Sequence, residues 1–432
     1  MLFYSTNNKN LKVSLREAVL NSLASDNGLY MPEKIPVFPP DFFSQIKDMS
    51  LPEIGFEVSK AFFDDDINTS DLETIVFESL NFPVPLVRIK ENLSTLELFH
   101  GPTLAFKDVG ARFMARMMQY FSQNTDHLTH VLVATSGDTG SAVANGFLGV
   151  EGVHVTVLYP KGLVSPIQEC QFTTLGNNIT ALEIAGTFDD CQHLVKQAFL
   201  DKDLNRKLTL TSANSINLAR LIPQSFYYFY GLGQMKDRSK DTVICVPSGN
   251  FGNLTAALFA KRMGLPVAKF IAATNVNDIV PKYLQSGKYD PKVSVATIAN
   301  AMDVGNPSNF VRMLDLYEHN AQKMAEDIIG CRFTDEMVRK AIVTVYEQFE
   351  YLMDPHGAIG YMALDDYLKG TDKQGFFIET AHPAKFKDTV EAIIQKEIEI
   401  PSKLKKFMEG KKQSISLSKE FIDFKDFLLQ RG

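Results

Sequence analysis

From residue 86 onward, short runs of β-branched and apolar residues alternate with longer amphipathic stretches. One such stretch, residues 108–121, places Val109, Phe113 and Met117 at helical spacing. The short runs predict strands at residues 129–134, 153–159, 208–211, 242–246 and 269–274. Strands that alternate with helices are typical of a parallel sheet, so we predict an α/β fold. Residues 1–95 carry little strand signal and several proline breaks, so we expect a separate N-terminal unit there.

The composition narrows the classes of partner. At 432 residues the chain can bury a large core, and its net charge of −7 is spread without a large basic block. We therefore expect a small molecule, and not nucleic acid, as the main partner. The longest uncharged run, residues 242–260, is broken by proline, glycine and asparagine, so no membrane span is predicted. Four scattered cysteines and the lack of a signal-peptide pattern favour a reducing, cytoplasmic location.

One lysine lies inside an apolar, proline-bounded segment, which reads His100-Gly101-Pro102-Thr103-Leu104-Ala105-Phe106-Lys107-Asp108. Packing against Phe106 would disfavour the ammonium of Lys107 and lower its pKa. A neutral amine can attack a carbonyl and form a Schiff base. The alternative is a lysine that points to water just before a helix, which we expect to begin near Asp108 with that residue as a candidate N-cap. This segment alone does not decide between the two.

Two glycine loops each follow a predicted strand and precede a predicted helix. They are residues 135–141, Thr-Ser-Gly-Asp-Thr-Gly-Ser, and residues 247–253, Pro-Ser-Gly-Asn-Phe-Gly-Asn. Such loops can expose successive N–H groups to a phosphate or a carboxylate. Neither loop matches the P-loop or the dinucleotide fingerprint. A single loop of this kind can be purely structural, but two in one α/β chain suggest two anionic groups held close together.

A third polar cluster begins at a strand end, at residues 211–220. It contains the donors Asn214, Ser215 and Asn217, and Arg220 offers a planar fork suited to phosphate. The alternative is a capped helix start with a surface arginine. No metal site is predicted, because no cysteine or acidic cluster accompanies His127 and His130 at ligand spacing.

Taken together, these segments resemble the threonine synthase family of fold-type II pyridoxal-phosphate enzymes. The resemblance covers most of the chain and rests on residues 28–32, 101–108, 135–140, 214–220, 249–253 and 379–386. It implies an α/β fold with two open, mainly parallel sheets that carry helices on both faces, plus an N-terminal extension. The expected domains are residues 1–95, residues 96–235 with the lysine and substrate loops, and residues 236–432 with the cofactor-phosphate loop.

The resemblance also implies a role for each matching residue. Lys107 would hold pyridoxal phosphate as a Schiff base, and Thr380 would meet its pyridine nitrogen. The cofactor phosphate would lie on the backbone amides of Gly249, Asn250, Phe251, Gly252 and Asn253. The loop over the substrate carboxylate would be formed by Ser136, Gly137, Asp138 and Thr139, with Asp138 also near the cofactor 3-oxygen. The substrate phosphate would be received by Ser215, Asn217 and Arg220.

The implied reaction converts O-phospho-L-homoserine and water to L-threonine and phosphate by γ-elimination and β-hydration, the last step of threonine biosynthesis. The enzyme would act as a monomer or a homodimer. A rival within the same fold type is a serine/threonine dehydratase or a phospho-amino-acid lyase, which would share Lys107 and the phosphate loop. A rival from another class is a catalytically silent protein that binds phosphorylated ligands through its glycine loops.

Overall fold

Three sheets organise the chain in the computed structural model, which describes residues 1–123 and 128–431. His127 lies outside the described residues. In the described part the strands are β1 Phe3–Ser5, β2 Lys12–Val13, β3 Tyr30–Pro32, β4 Leu86–Lys90, β5 Leu93–Glu97, β6 Thr129–Ala134, β7 Val153–Pro160, β8 Ile179–Ile184, β9 Thr209–Ser212, β10 Thr242–Pro247, β11 Lys269–Thr274, β12 Ile328–Arg332, β13 Gln374–Glu379 and β14 Ser414–Leu417.

Helices connect and cover these strands. They are α1 Leu15–Asn21, α2 Pro40–Gln45, α3 Leu51–Phe63, α4 Thr69–Ser79, α5 Lys107–Ser122, α6 Asp138–Phe147, α7 Pro166–Thr173, α8 Phe188–Leu200, α9 Lys202–Lys207, α10 Leu218–Leu221, α11 Phe226–Gln234, α12 Gly252–Arg262, α13 Ile279–Ser286, α14 Phe310–Leu316, α15 Ala321–Asp327, α16 Asp335–Phe349, α17 Pro355–Leu368, α18 Lys387–Ile394, α19 Ser402–Met408 and α20 Phe421–Leu429. Short 3-10 turns lie at Ile222–Ser225, Asn300–Met302 and Pro383–Phe386.

The first large sheet is entirely parallel, in the order β14-β8-β7-β6-β9. Its side chains alternate between two buried faces, as the twofold period of a strand requires. On β6, Val131 and Val133 join the core that contains α5 and α6, whereas Leu132 and Ala134 join the core beneath α8. Burial of both faces explains why residues 131–134 of this strand are apolar without interruption.

The second large sheet has the order β12-β11-β10-β13-β5-β4 and is parallel apart from the β4–β5 pair. It is also covered on both faces, because Ile244 and Val246 of β10 face one core while Val243 and Cys245 face the core of α16 and α17. The predicted α/β fold with two open, mainly parallel sheets is therefore confirmed.

The N-terminal region differs from its prediction. A small antiparallel sheet, in the order β2-β1-β3, lies where little strand signal was expected. These strands have two or three residues each, which is too short for an alternating pattern to be visible in the sequence.

Two segments cross the predicted domain boundaries in space. Strand β5 spans residues 95 and 96 and pairs with β13 of the C-terminal third, and β14 returns to pair with β8 of the middle third. The division at residues 95 and 235 stays a prediction for independently folding units, but the sheets themselves are interleaved along the chain. No helix in the described residues is long and apolar enough to cross a membrane.

Candidate active site

The sequence segments singled out above follow the carboxyl ends of parallel strands. The lysine segment follows β5, residues 135–141 follow β6, the polar cluster follows β9, residues 247–253 follow β10, and Thr380 follows β13. In open parallel sheets the carboxyl ends of the strands form the crevice where ligands bind. The fold thus gathers motifs that are far apart in the sequence into one cleft between the two large sheets.

Lys107 is the first residue of α5, with Phe106 as its N-cap. The helix begins one residue before Asp108, close to the expected start, but the prediction that Asp108 is its N-cap is wrong. Asp108 is buried inside the first turn and accepts hydrogen bonds from Thr103, at 2.8 Å from the backbone N–H and 2.6 Å from the hydroxyl. A Cβ on Gly101 would lie 2.4 Å from the Asp108 carboxylate, so glycine is needed for this close approach. Asp108 therefore folds the lysine segment back onto α5.

The amine of Lys107 is suited to bond covalently to a carbonyl. Its pKa is lowered to about 8: burial is the largest cause, Asp138 raises the pKa, and the charges of Arg220 and Lys385 lower it. The ammonium nitrogen lies 5.9 Å from the centroid of the Phe106 ring. No described residue forms an ion pair with it. Lys107 is half-buried at the cleft, so the alternative of a freely solvated lysine is wrong.

The loop before α12 fits a phosphate group. The N–H groups of residues 249–253 have no hydrogen-bond acceptor among the described residues, and α12 adds its positive N-terminal end. Phe251 adopts a left-handed φ of 59°, which turns the backbone into a concave cradle. The Asn253 side chain serves the loop itself, because it accepts from the Ser248 hydroxyl at 2.8 Å and donates to the Pro247 carbonyl at 2.8 Å.

Thr380 lies beside the lysine segment. Its carbonyl accepts a 2.8 Å hydrogen bond from the Phe106 N–H, and an isolated bridge pairs Ala105 with Ala381. Its hydroxyl has no partner in the described part of the chain, although the residue is 7% exposed. A neutral hydroxyl that is free at this position fits a ring nitrogen that is kept largely unprotonated.

The loop after β6 is shaped by a residue that the sequence did not single out. The Thr135 hydroxyl accepts hydrogen bonds from the N–H groups of Gly137 at 2.9 Å and Gly140 at 2.8 Å. Gly137 therefore supplies the turn, at a φ of 146° that favours glycine, but its N–H is not available to a substrate. The N–H groups of Asp138 and Thr139, at the start of α6, have no acceptor among the described residues, and Ser136 is half-buried beside them.

Both polar contacts of the Asp138 carboxylate are made by one of its oxygens. Its Oδ1 accepts from the Gln168 side-chain amide at 2.8 Å and forms an ion pair with Lys385 at 2.7 Å. Burial raises the pKa of Asp138, but the ammonium groups of Lys385 and Lys107 more than offset this and hold it well below its usual range. Sequence reasoning missed Lys385, although a lysine in the apolar run Pro383-Ala384-Lys385-Phe386 is the same signal that identified Lys107.

In the cluster after β9, two of the three predicted residues remain available to a ligand. The Ser215 hydroxyl accepts from Asn250 at 2.9 Å and from Asn309 at 3.2 Å, so its own proton is free to be donated. Arg220 is 3% exposed and donates to the Ala213 carbonyl at 2.5 Å, while its Nε is buried without a partner in the described chain. The alternative of a surface arginine is therefore wrong.

Asn217 does not fit its predicted contact with a substrate phosphate. It is fully buried, and its amide donates to the Val19 carbonyl at 2.8 Å and the Ser22 hydroxyl at 2.7 Å. Its carbonyl oxygen accepts from the Ala219 N–H at 2.8 Å and caps α10. Each polar atom of this side chain is thus occupied, in joining the N-terminal unit to the cluster and in capping α10.

A cleft with a reactive amine, a phosphate cradle and a free hydroxyl suits a ligand that has an aldehyde, a phosphate and a ring nitrogen, and pyridoxal phosphate combines these groups. The fold and this cleft define the class of pyridoxal-phosphate-dependent enzymes of fold type II.

Comparisons with known proteins agree and are more specific. Residues 81–377 match the family described as pyridoxal-phosphate dependent enzyme, residues 2–80 match the threonine synthase N terminus, and residues 357–428 match the threonine synthase C-terminal family. The chain is 42% identical to threonine synthase of Haemophilus influenzae, with 100% of both chains covered.

Solved structures give the same result. The crystal structure of threonine synthase from Escherichia coli is 40% identical with a TM-score of 0.93 and covers 100% of both chains. The pyridoxal-phosphate-bound threonine synthase from Brucella melitensis is 34% identical with a TM-score of 0.93, covering 100% of this chain and 99% of that one. The chain belongs to the threonine synthase family.

Proposed function

We propose that the protein converts O-phospho-L-homoserine and water to L-threonine and inorganic phosphate. The observation that carries this proposal is Arg220, a buried guanidinium that forms no salt bridge with a described residue and acts electrostatically on Lys107. With the cradle at residues 249–253, it provides a second anion site in one cleft. A cofactor phosphate occupies only one of them, so the other is suited to a phosphorylated substrate.

Substrate binding uses groups that the protein leaves without partners. The N–H groups of Asp138 and Thr139, at the positive end of α6, would hold the amino-acid carboxylate, and Ser136 closes the same loop. Arg220 and the Ser215 hydroxyl would hold the γ-phosphate. Since α6 and α10 both pack against α5, these two sites are fixed relative to Lys107.

Lys107 would then move protons. Bound pyridoxal phosphate supplies an electron sink that stabilises negative charge at the substrate α-carbon. With a pKa of about 8, the Lys107 amine is close to the value that suits a base at neutral pH, and it would take the α-proton. A second proton would leave the β-carbon as the carbon–oxygen bond breaks, and the departing phosphate would accept it to become inorganic phosphate.

Departure of the phosphate places charge where Arg220 already lies. A cation held in a buried site stabilises such charge more strongly than one in water, and it needs no rearrangement to do so. Lys107 would return its proton at the γ-carbon. Addition of water then supplies the hydroxyl of the β-carbon, and the remaining proton of that water, carried by Lys107, would restore the α-carbon and complete threonine.

The test is to mix the purified protein with pyridoxal phosphate and O-phospho-L-homoserine and to measure threonine and phosphate together. We expect the two products to appear in equal amounts. Release of an α-keto acid and ammonia would instead indicate a serine/threonine dehydratase or a phospho-amino-acid lyase. If the protein stays colourless after saturation with pyridoxal phosphate, the result would indicate a catalytically silent protein that only binds phosphorylated ligands.

We also propose a cytoplasmic location and a monomeric or homodimeric state. The four cysteines, Cys170, Cys191, Cys245 and Cys331, are free in the structure, which suits a reducing compartment. Size measurement by light scattering and fractionation of cells tests both points.

A further inference from the structure

A buried ion pair that the reaction above does not use lies next to the reactive lysine. The Lys385 and Asp138 side chains are 0% and 7% exposed, and their charged atoms are 2.7 Å apart. Lys385 also donates to the Thr103 carbonyl at 2.7 Å, in the same segment that Asp108 folds back onto α5. The pair therefore ties together the turn at Pro383–Phe386, the lysine segment and the start of α6.

The carboxylate of Asp138 has two possible cationic partners. Asp138 and Lys107 interact electrostatically, and so do Lys385 and Lys107. Lys385, with the Gln168 amide at 2.8 Å, occupies Oδ1 of Asp138, whereas no described residue forms an ion pair with Lys107. In a buried site, a carboxylate that lost Lys385 would turn to the nearest remaining ammonium and would favour its charged form.

We propose that Lys385 is a positioning residue that engages the Asp138 carboxylate, so that this carboxylate does not pair with the Lys107 amine and the amine stays free to bond to the cofactor. The inference rests on the proposed role of Lys107. It assigns Lys385 a task that involves no contact with the substrate.

The other charged and titratable groups around the pair do not substitute for Asp138. Both oxygens of Asp108 already accept hydrogen bonds from Thr103. Burial raises the pKa of Cys170 to about 11 and lowers that of His382 to about 4, so both groups are neutral near pH 8. Arg220 faces Lys107 from α10, and its positive charge, like that of Lys385, lowers the pKa of Lys107.

The test measures how fast the full-length apoprotein takes up pyridoxal phosphate, by the absorbance of the bound cofactor, as a function of pH. Only the neutral amine reacts, so in the wild type we expect the rate to rise with pH to a plateau, with its midpoint near the Lys107 pKa of about 8. In K385M the midpoint should move up by about one pH unit, which makes uptake about tenfold slower below it. K385R keeps the charge and should keep the wild-type midpoint.

Asp138 provides the matched variants. D138N leaves Lys385 unpaired beside Lys107 and should move the midpoint to lower pH, and D138N/K385M should reverse the upward shift of K385M. If K385M fails to fold, the midpoints of these two variants still test the inference. Circular dichroism of each apoprotein shows whether it folds. A merely structural role for Lys385 would change the plateau rate or the stability but not the midpoint.

The outcomes separate this inference from the proposed function. If the wild type takes up cofactor but the midpoints of K385M and D138N both equal the wild-type midpoint, the inference is overturned. It is also overturned if K385M shifts the midpoint and D138N/K385M does not reverse that shift. If the wild type takes up no cofactor at any pH, the proposed role of Lys107 fails and the inference fails with it.

Discussion

Replacing Arg220 by methionine separates phosphate recognition from folding. The guanidinium makes one bond, to the Ala213 carbonyl at 2.5 Å, and its Nε is buried without a partner in the described chain. Loss of that bond costs about 1 kcal/mol of folding stability, which is offset by no longer burying a charge. Two charge-assisted bonds to a substrate phosphate are worth about 3–6 kcal/mol together. We therefore expect R220M to fold with near-normal stability and to lose about 10²–10⁴ in kcat/KM.

The assay follows phosphate release from O-phospho-L-homoserine, together with urea unfolding and the cofactor absorbance change on adding phosphate-free L-serine. Binding of L-serine should be unchanged in R220M, because the amino-acid carboxylate site lies on α6. The control is R112M on the opposite side of α5, where Arg112 donates to the Ser79 carbonyl at 2.9 Å and away from the cleft. Equal losses toward the phosphorylated and the phosphate-free amino acid, or equal losses in R112M and R220M, would refute the reasoning.

Three further substitutions test separate parts of the site. K107A should abolish turnover, and substantial threonine formation by that variant would contradict the role of Lys107. In G249A the new Cβ would lie 2.5 Å from the Ala301 carbonyl oxygen, and the resulting strain of about 1–3 kcal/mol should weaken cofactor binding about 10- to 100-fold in an equilibrium titration. In G110A the Cβ would lie 2.7 Å from the Arg220 carbonyl oxygen, so urea unfolding should show a loss of about 1–3 kcal/mol, whereas helix propensity alone predicts a gain.

The sequence predicted those parts of the fold that depend on local pattern. The five predicted strands begin and end within one residue of those observed. Four of them carry apolar runs that are buried, whereas β9, Thr-Leu-Thr-Ser, has only β-branched and apolar alternation and is partly exposed. In α5, Val109, Phe113 and Met117 are fully buried, as their helical spacing predicts. The positions of the site loops could also be predicted from local pattern, because glycines between a strand and a helix mark the carboxyl end of a strand, where ligands bind in a parallel sheet.

The features that the sequence did not predict depend on contacts between distant segments. Asn217 looks like a ligand in its own cluster, and only the fold shows that Val19 and Ser22 occupy its amide. Lys385 and Asp138 are likewise far apart in the chain, and their pairing requires β13 and β6 to end at the same cleft. Local pattern carries no information about such partners, so a polar residue near a motif can be structural while an unmarked lysine is part of the site.

The central claim is that Lys107 is the lysine that holds the cofactor, and covalent labelling tests it most directly. Borohydride reduction of the protein loaded with pyridoxal phosphate fixes the carbon–nitrogen bond, and peptide mass spectrometry then locates the label. We expect a single labelled peptide that carries the cofactor on Lys107. A label on Lys385, the other lysine buried in this cleft, or no label on either residue, would contradict it.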